Sequence, residues 1–199
     1  MRPLEAARTA LLIIDVQHFT LDPSRHPPRP WFDQRARGLV LPNLRRLLAA
    51  SRRTGVEVVY TVIECLTQDG RDRSLDYKIT GFLVPRGSPD ARIPEEIAPG
   101  EDEIVLPKTS SSLFNSTNFD YIMRNIGIET ILVTGFLTDQ CVDHTIRDGA
   151  DRGYRMVCVH DACATDTEER HLAALNAFKG YCRLMTTPEV LAELERGRQ

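Results

Sequence analysis

Residues 130–160 read TILVTGFLTDQCVDHTIRDGADRGYRMVCVH. The run Thr130–Thr134 is apolar and rich in β-branched residues. Gly135 breaks it, Asp139–Asp151 places Val142, Ile146 and Ala150 on one helical face, and Gly153 closes the helix before a second apolar run, Arg155–His160. Neither run alternates apolar with polar residues, so each fits a strand buried on both faces. A strand, a helix and a second such strand make a crossover unit, and crossovers join parallel strands.

The same reading extends outward. Ala10–Val16 (ALLIIDV), Val56–Ile63 and Glu103–Leu106 precede the unit as strands, and Cys182–Met185 follows as a weaker one. Helical spacing recurs between them. In Gly38–Arg53, Leu39, Leu44, Leu47 and Leu48 form one face, with Gly55 as the stop. Ser116–Asn125, Thr167–Phe178 and Pro188–Arg196 complete the set, the last with Pro in its first turn. The expected fold is a three-layer α/β/α domain, a doubly wound and mainly parallel sheet of about six strands, spanning 1–199 as one unit.

Composition agrees. The chain has 199 residues, 42% hydrophobic and 27% charged, with a formal net charge of −3. It is too apolar for intrinsic disorder and has no basic field for nucleic acid or an anionic membrane. The opening MRPLEAARTA lacks the apolar core of a signal peptide, so the expected location is cytoplasmic. Five cysteines, an odd number with no CxxC, argue against both a disulfide scaffold and a zinc clip.

In an open α/β sheet, ligands gather beyond the carboxyl ends of the strands. Those ends carry Asp15 and Gln17 after the first strand, Glu64 after the second, Lys108 after the third, and Thr138, Gln140 and Cys141 after the fourth. An acid, a lysine and a cysteine thus converge from three strands. A thiol in the first turn of a helix meets the positive end of the dipole and free N–H groups, which favour thiolate and can hold an oxyanion. Taken singly, Cys141 reads equally as a packed thiol, Asp15 as a carboxylate bonded to backbone, and Lys108 as a surface cation.

Two long connections interrupt the alternation. Phe19–Arg35 is rich in proline with Trp31 and Phe32, and Cys65–Asp102 is rich in Gly, Pro and charge with Tyr77 and Phe82. Aromatic anchors in both favour ordered covers over a site. Phe19, Glu64, Tyr77, Gln17 and Gln140 are pocket candidates by position. Arg71 and Arg73 form a cationic pair suited to a substrate carboxylate, or else a solvated charged loop.

The strings ALLIIDVQ, LPKTSSSLFNST and VTGFLTDQCVDHTIRDGADRGYRMVCVHDACAT resemble the isochorismatase-like cysteine hydrolases, in order and over about Ala10 to Cys182. The resemblance implies a catalytic triad of Asp15, Lys108 and Cys141, backbone N–H groups of Thr138 and Cys141 as oxyanion donors, and a cis peptide just before Thr138. Ser111 and Ser112 resemble family positions near the site, though helix capping explains them as well. The implied activity is hydrolysis of a C–N bond in a small linear amide or ureido (N-carbamoyl) compound, through a thioester and with release of ammonia. Two alternatives stand beside it: vinyl-ether hydrolysis with Asp15 as acid, and a non-enzymatic thiol or interaction module. Nicotinamidases of the family carry an Asp/His metal run where this chain has Glu64-Cys65-Leu66-Thr67-Gln68-Asp69, so neither metal nor cofactor is expected. The family's habit of forming dimers and tetramers implies a homo-oligomer.

Overall fold

Thr9–Ile14 (β1) is buried at every position, and both of its faces meet apolar layers. Leu11 and Ile13 pack with Phe32, Leu44, Leu47 and Phe136, whereas Ala10, Leu12 and Ile14 pack with Phe119, Ile131, Val133 and Ile146. This two-sided burial is why the strand shows no alternation, and each fully buried Leu or Ile contributes about 2 kcal/mol. The computed structural model describes residues 4–197. Glu57–Ile63 (β2), Ile104–Lys108 (β3), Thr130–Phe136 (β4), Arg155–Ala164 (β5) and Arg183–Met185 (β6) join β1 in a parallel sheet of order β3-β2-β1-β4-β5-β6.

Helices cover both faces. In chain order they are His18–Leu21 (α1), Pro30–Arg35 (α2), Leu41–Thr54 (α3), Leu75–Thr80 (α4), Leu113–Ser116 (α5), Phe119–Asn125 (α6), Asp143–Asp151 (α7), Glu168–Phe178 (α8) and Thr187–Arg196 (α9). Helices α2, α3 and α9 supply one apolar layer, and α5 to α8 the other. The expected three-layer arrangement is therefore present. No helix among the described residues is long and apolar enough to cross a membrane.

Several boundaries differ from the periodicity reading. β3 runs through Pro107 to Lys108, two residues beyond Leu106, because it lies at the sheet edge, where a missing N–H costs nothing. β4 and β5 extend to Phe136 and Ala164, which pair beyond an irregularity between Val133 and Gly135. The helix expected from Gly38 begins earlier. The chain is already helical from Pro30, and a π turn at Ala36–Val40 lets the Leu41 N–H reach the Ala36 carbonyl just before Pro42. That wider turn relieves the clash that proline makes with the preceding turn. Ser116–Asn125 is split, with α5 ending at Ser116 and α6 starting at Phe119.

The strand order reverses between β1 and β4, and there the two strands approach closely. Gly135, with φ of +104°, lies against Ile14, and a Cβ on it would stand 2.1 Å from the Ile14 carbonyl oxygen. Only glycine fits that approach. It sets the end of β1 beside the turn that leaves β4.

Candidate active site

Asp15 follows β1 directly and adopts a left-handed backbone, φ 55°, which Asp tolerates better than most residues. Its N–H donates to the Thr61 carbonyl at 3.0 Å, its carbonyl accepts from the Thr20 hydroxyl at 2.6 Å, and Oδ1 accepts from the Thr61 hydroxyl at 2.9 Å. Oδ2 faces Lys108 Nζ at 2.8 Å. Lys108, the last residue of β3, also donates to the Tyr77 hydroxyl at 2.6 Å and the Ser110 carbonyl at 3.0 Å, and stands 3.4 Å from Cys141 Sγ. Asp15, Lys108 and Cys141 are 1%, 0% and 2% exposed.

Charge in this enclosure is balanced by one ion pair. Burial opposes the Lys108 charge, but Asp15 and Cys141 outweigh it and hold the ammonium above the ordinary lysine range. Burial pushes the Cys141 thiol up to about 11, Lys108 pulling down and Asp15 pushing up. The sequence reading expects the helix end and Lys108 to lower the thiol pKa; the shift runs the other way, with desolvation as its largest cause. Burial disfavours the charged form of the sulfur, so a partner that takes its proton aids attack.

Cys141 lies in a π turn, Thr138–Val142, that runs into α7. The N–H groups of Gln140 and Val142 both return to the Leu137 carbonyl, at 3.1 and 3.2 Å, and the Cys141 N–H does not join them. The cis peptide is Phe136–Leu137, one bond earlier than the resemblance implied, because the reversal starts at the last paired residue of β4. Thr138 is held from behind by His171. Arg35 donates to His171 Nε2 at 3.2 Å, which leaves Nδ1–H to donate to the Thr138 hydroxyl at 2.9 Å. Burial, and then Arg35, lower the His171 pKa to about 4, so the ring is neutral.

Asp15 and Cys141 line a nearly filled crevice of about 10 Å³ together with Phe19, His26, Arg29, Phe82, Leu137 and Gln140. A larger hollow, about 320 Å³, opens beside Leu4, Tyr154 and Cys182 at the amino-terminal edge of β4 to β6, far from the strand ends that carry the acid, base and thiol. Among the expected pocket residues, Phe19 and Gln140 line the Cys141 cavity. Tyr77 reaches the site from α4, its hydroxyl 3.5 Å from Cys141 Sγ. Ser74 caps that helix by accepting the Tyr77 N–H, and Ser111 donates to Asp76 at 2.6 Å, so the cover is pinned to the segment after β3.

Four expected contacts lie elsewhere. Gln17 is buried, and its amide is consumed by the Ile63 N–H, the Ile63 carbonyl and the Asp90 carbonyl. Glu64 accepts from the Gly87 N–H and lines a separate hollow. Arg71 is paired with Asp69 in solvent, its side chain 73% exposed. Arg73 donates to the Gly70 and Phe82 carbonyls and braces its own loop. Loop backbone must be satisfied, and Gln17, Glu64 and Arg73 do so here. The cation that does line the cavity is Arg29, which the sequence reading passed over. Its Pro-Pro-Arg-Pro context marks a connection but not the direction its side chain takes. Phe32, expected in a cover, packs into the core against Phe136, ring centroids 4.8 Å apart.

Among the described residues, no group of three or more His, Cys, Asp or Glu stands where a metal ion could be held. All five thiols are free, and burial raises those of Cys65 and Cys182.

Comparison with known proteins gives a consistent picture. The isochorismatase domain family matches residues 9–189. The chain is similar to N-carbamoylsarcosine amidase of Arthrobacter sp, 32% identical over 155 residues that make up 75% of this chain and 57% of that protein. It is also similar to ureidoacrylate amidohydrolase RutB of Pantoea ananatis, 29% identical over 171 residues, 78% of this chain and 68% of that protein. Among solved structures, a cysteine hydrolase from Pseudomonas syringae pv. phaseolicola superposes with a TM-score of 0.86 at 25% identity, covering 99% of this chain and 97% of that one.

Proposed function

The chain belongs to the isochorismatase domain family, and on that premise we propose that it is a cysteine amidohydrolase releasing ammonia from a small linear amide or ureido compound. One observation carries the reading: the buried Lys108 ammonium stands 2.8 Å from the Asp15 carboxylate and 3.4 Å from the Cys141 sulfur, beside a cavity that Asp15 and Cys141 both line. The names of the relatives, an amidase and amidohydrolases of N-carbamoyl and ureido compounds, support the bond type.

Burial raises the Cys141 thiol, so a base takes its proton as attack occurs. Asp15 takes the thiol proton while Lys108 keeps the carboxylate ionised beforehand and balances the charge afterwards. The sulfur lone pair forms a bond to the substrate carbonyl carbon, and the carbonyl π pair moves to oxygen. The N–H groups of Cys141 and Thr138 hold that oxyanion. Its collapse breaks the C–N bond, the departing nitrogen takes the proton from Asp15 as ammonia, and a thioester remains. Asp15 then deprotonates a water that attacks the thioester, and the proton returns to sulfur as the acid or carbamate leaves.

A panel of primary amides, ureas and N-carbamoyl amino acids scored by ammonia release tests this reading. Wild type is expected to turn over at least one compound and to form an acyl adduct on Cys141 visible by mass spectrometry. Cys141→Ala is expected to release none while unfolding at the wild-type denaturant midpoint. Silence of wild type across the panel, or near-normal release by Cys141→Ala, overturns it.

A further inference from the structure

The crevice beside Cys141 encloses about 10 Å³, room for a single water and less than the smallest amide or urea needs. A substrate carbonyl therefore reaches the sulfur only when a wall moves. Asp15, Ile63, Leu137 and Cys141 stand at strand ends or in the turn after β4, where the sheet fixes them. The remaining walls are the two covers: residues 19–29, which bring Phe19, His26 and Arg29, and the connection after β2, which brings Phe82.

These covers are fastened very differently. In the connection after β2, the Cys65 N–H donates to the Val84 carbonyl at 2.8 Å, the Ser74 N–H to the Thr109 carbonyl at 2.9 Å, Arg73 to the Phe82 carbonyl at 2.8 Å and Ser111 to Asp76 at 2.6 Å. The α1 turn that carries Phe19 is tied as well, by the His18 N–H to the Arg92 carbonyl at 2.9 Å and the Thr20 hydroxyl to the Asp15 carbonyl at 2.6 Å. Residues 23–28 are not. Pro23, Pro27 and Pro28 have no N–H to give, and the one backbone-to-backbone hydrogen bond described there runs from the Arg25 N–H to the Asp22 carbonyl, inside the same turn. Arg25 reaches across to Asp90 at 2.9 Å, but its side chain is 49% exposed, and exposed pairs add little stability.

Both ends of this strap are held. The Asp22 N–H donates to the His18 carbonyl at 2.9 Å, and Arg29 lies over the Phe32 ring and donates to the Thr20 carbonyl at 2.7 Å. Between those posts every residue is exposed except His26, which turns inward. Its Nε2–H donates to the Phe19 carbonyl at 2.7 Å, and its ring meets the Phe19 ring edge-on, centroids 5.1 Å apart. Burial holds its pKa below the ordinary histidine range, so the ring is neutral at neutral pH.

We propose that residues 23–28 form the door of the site, turning about Asp22 and Arg29, with the His26 ring as its plug. Prolines fix φ at three of the six positions, so the strap moves as a stiff piece. Opening breaks one hydrogen bond, one aromatic contact and one exposed ion pair, whereas lifting the other cover breaks its whole set of ties. His26 thereby sets the size of compound that reaches Cys141. The proposal rests on the amidohydrolase reading for its effect on turnover, and adds to it the route by which substrate enters.

The test is the rate at which N-ethylmaleimide alkylates Cys141 at one neutral pH, read by peptide mass spectrometry in wild type, His26→Gly, Arg25→Ala and Ser111→Ala. Loss of the plug's hydrogen bond and ring contact is expected to raise the rate about fivefold or more in His26→Gly. Arg25→Ala, which frees the strap without touching the crevice, is expected to give a smaller rise and carries the test should the glycine variant fail to fold. Cys65, buried under the other cover, keeps its wild-type rate. Unchanged alkylation of Cys141 in both strap variants, an equal rise at Cys65, or acceleration only by Ser111→Ala, which loosens the other cover, overturns the door. Between two accepted amides of different bulk, His26→Gly is expected to raise kcat/KM for the larger relative to the smaller, and an unchanged ratio overturns His26 as the plug. Faster alkylation of His26→Gly in a protein whose wild type releases no ammonia from any amide or urea overturns the amidohydrolase reading and leaves the door standing.

Discussion

Lys108 donates to the hydroxyl of Tyr77 at 2.6 Å, joining the buried cation at the end of β3 to the short helix that covers it. Because the hydroxyl accepts from Lys108, its own proton is free to point at Cys141 Sγ, 3.5 Å away. A residue of a surface connection thereby becomes part of the electrostatic surroundings of the thiol.

Tyr77→Phe is expected to keep the ring packing against Phe82 while deleting the donor that favours a sulfur anion. A hydrogen bond to a charged group is worth about 1.5–3 kcal/mol, so kcat/KM for ammonia release is expected to fall about tenfold or more. The Cys141 pKa rises further. Alkylation of the Cys141 peptide by iodoacetamide, followed by mass spectrometry against pH, reads that shift. An unmoved or lowered midpoint shows that Tyr77 only packs.

Asp15 and Lys108 are each fully buried, so removing one partner strands a charge. Asp15→Asn and Lys108→Met are each expected to destabilise the fold by about 3–5 kcal/mol. The double substitution leaves no stranded charge and is expected to cost clearly less than the two single losses combined. Urea unfolding of the four proteins measures this. Additive losses show that the pair is not coupled in the folded state.

His171 is held neutral between Arg35 and Thr138, its pKa lowered from 6.5 to about 4, with His160 and Asp139 as the further charged groups around it. Between those two values the unfolded chain binds a proton here that the folded chain refuses. Stability therefore falls as pH is lowered through that window and is fully retained above it. His171→Gln is expected to flatten this part of the stability profile, measured by urea unfolding from pH 7 to pH 4. An unchanged slope shows that other groups carry the acid sensitivity.

The parallel sheet was legible because strands buried on both faces must be apolar throughout, as in ALLIIDV and TILVT, while the intervening helices repeat with a period of 3.6. Even the site was half legible. Following strand ends brought Asp15, Lys108 and Cys141 together, since in a doubly wound sheet those ends share one edge, and the resemblance then implied their roles. Boundaries were less so. The strand expected over Glu103–Leu106 runs on through Pro107 to Lys108, and nothing local says that β3 lies at an edge.

The sequence by itself thus determined the layers, the edge where chemistry collects and the three groups gathered there, all of which follow from local hydrophobic pattern and connectivity. Tertiary structure alone decided that burial raises the thiol, that Tyr77 touches it, and that Arg29 rather than Arg71 or Arg73 lines the crevice beside it. Arginines in loops look alike in sequence. What separates them is burial and partners far along the chain, such as Asp166 for Arg29 and the loop's own carbonyls for Arg73, and the energy of a charge depends on that surrounding and not on its neighbours in sequence.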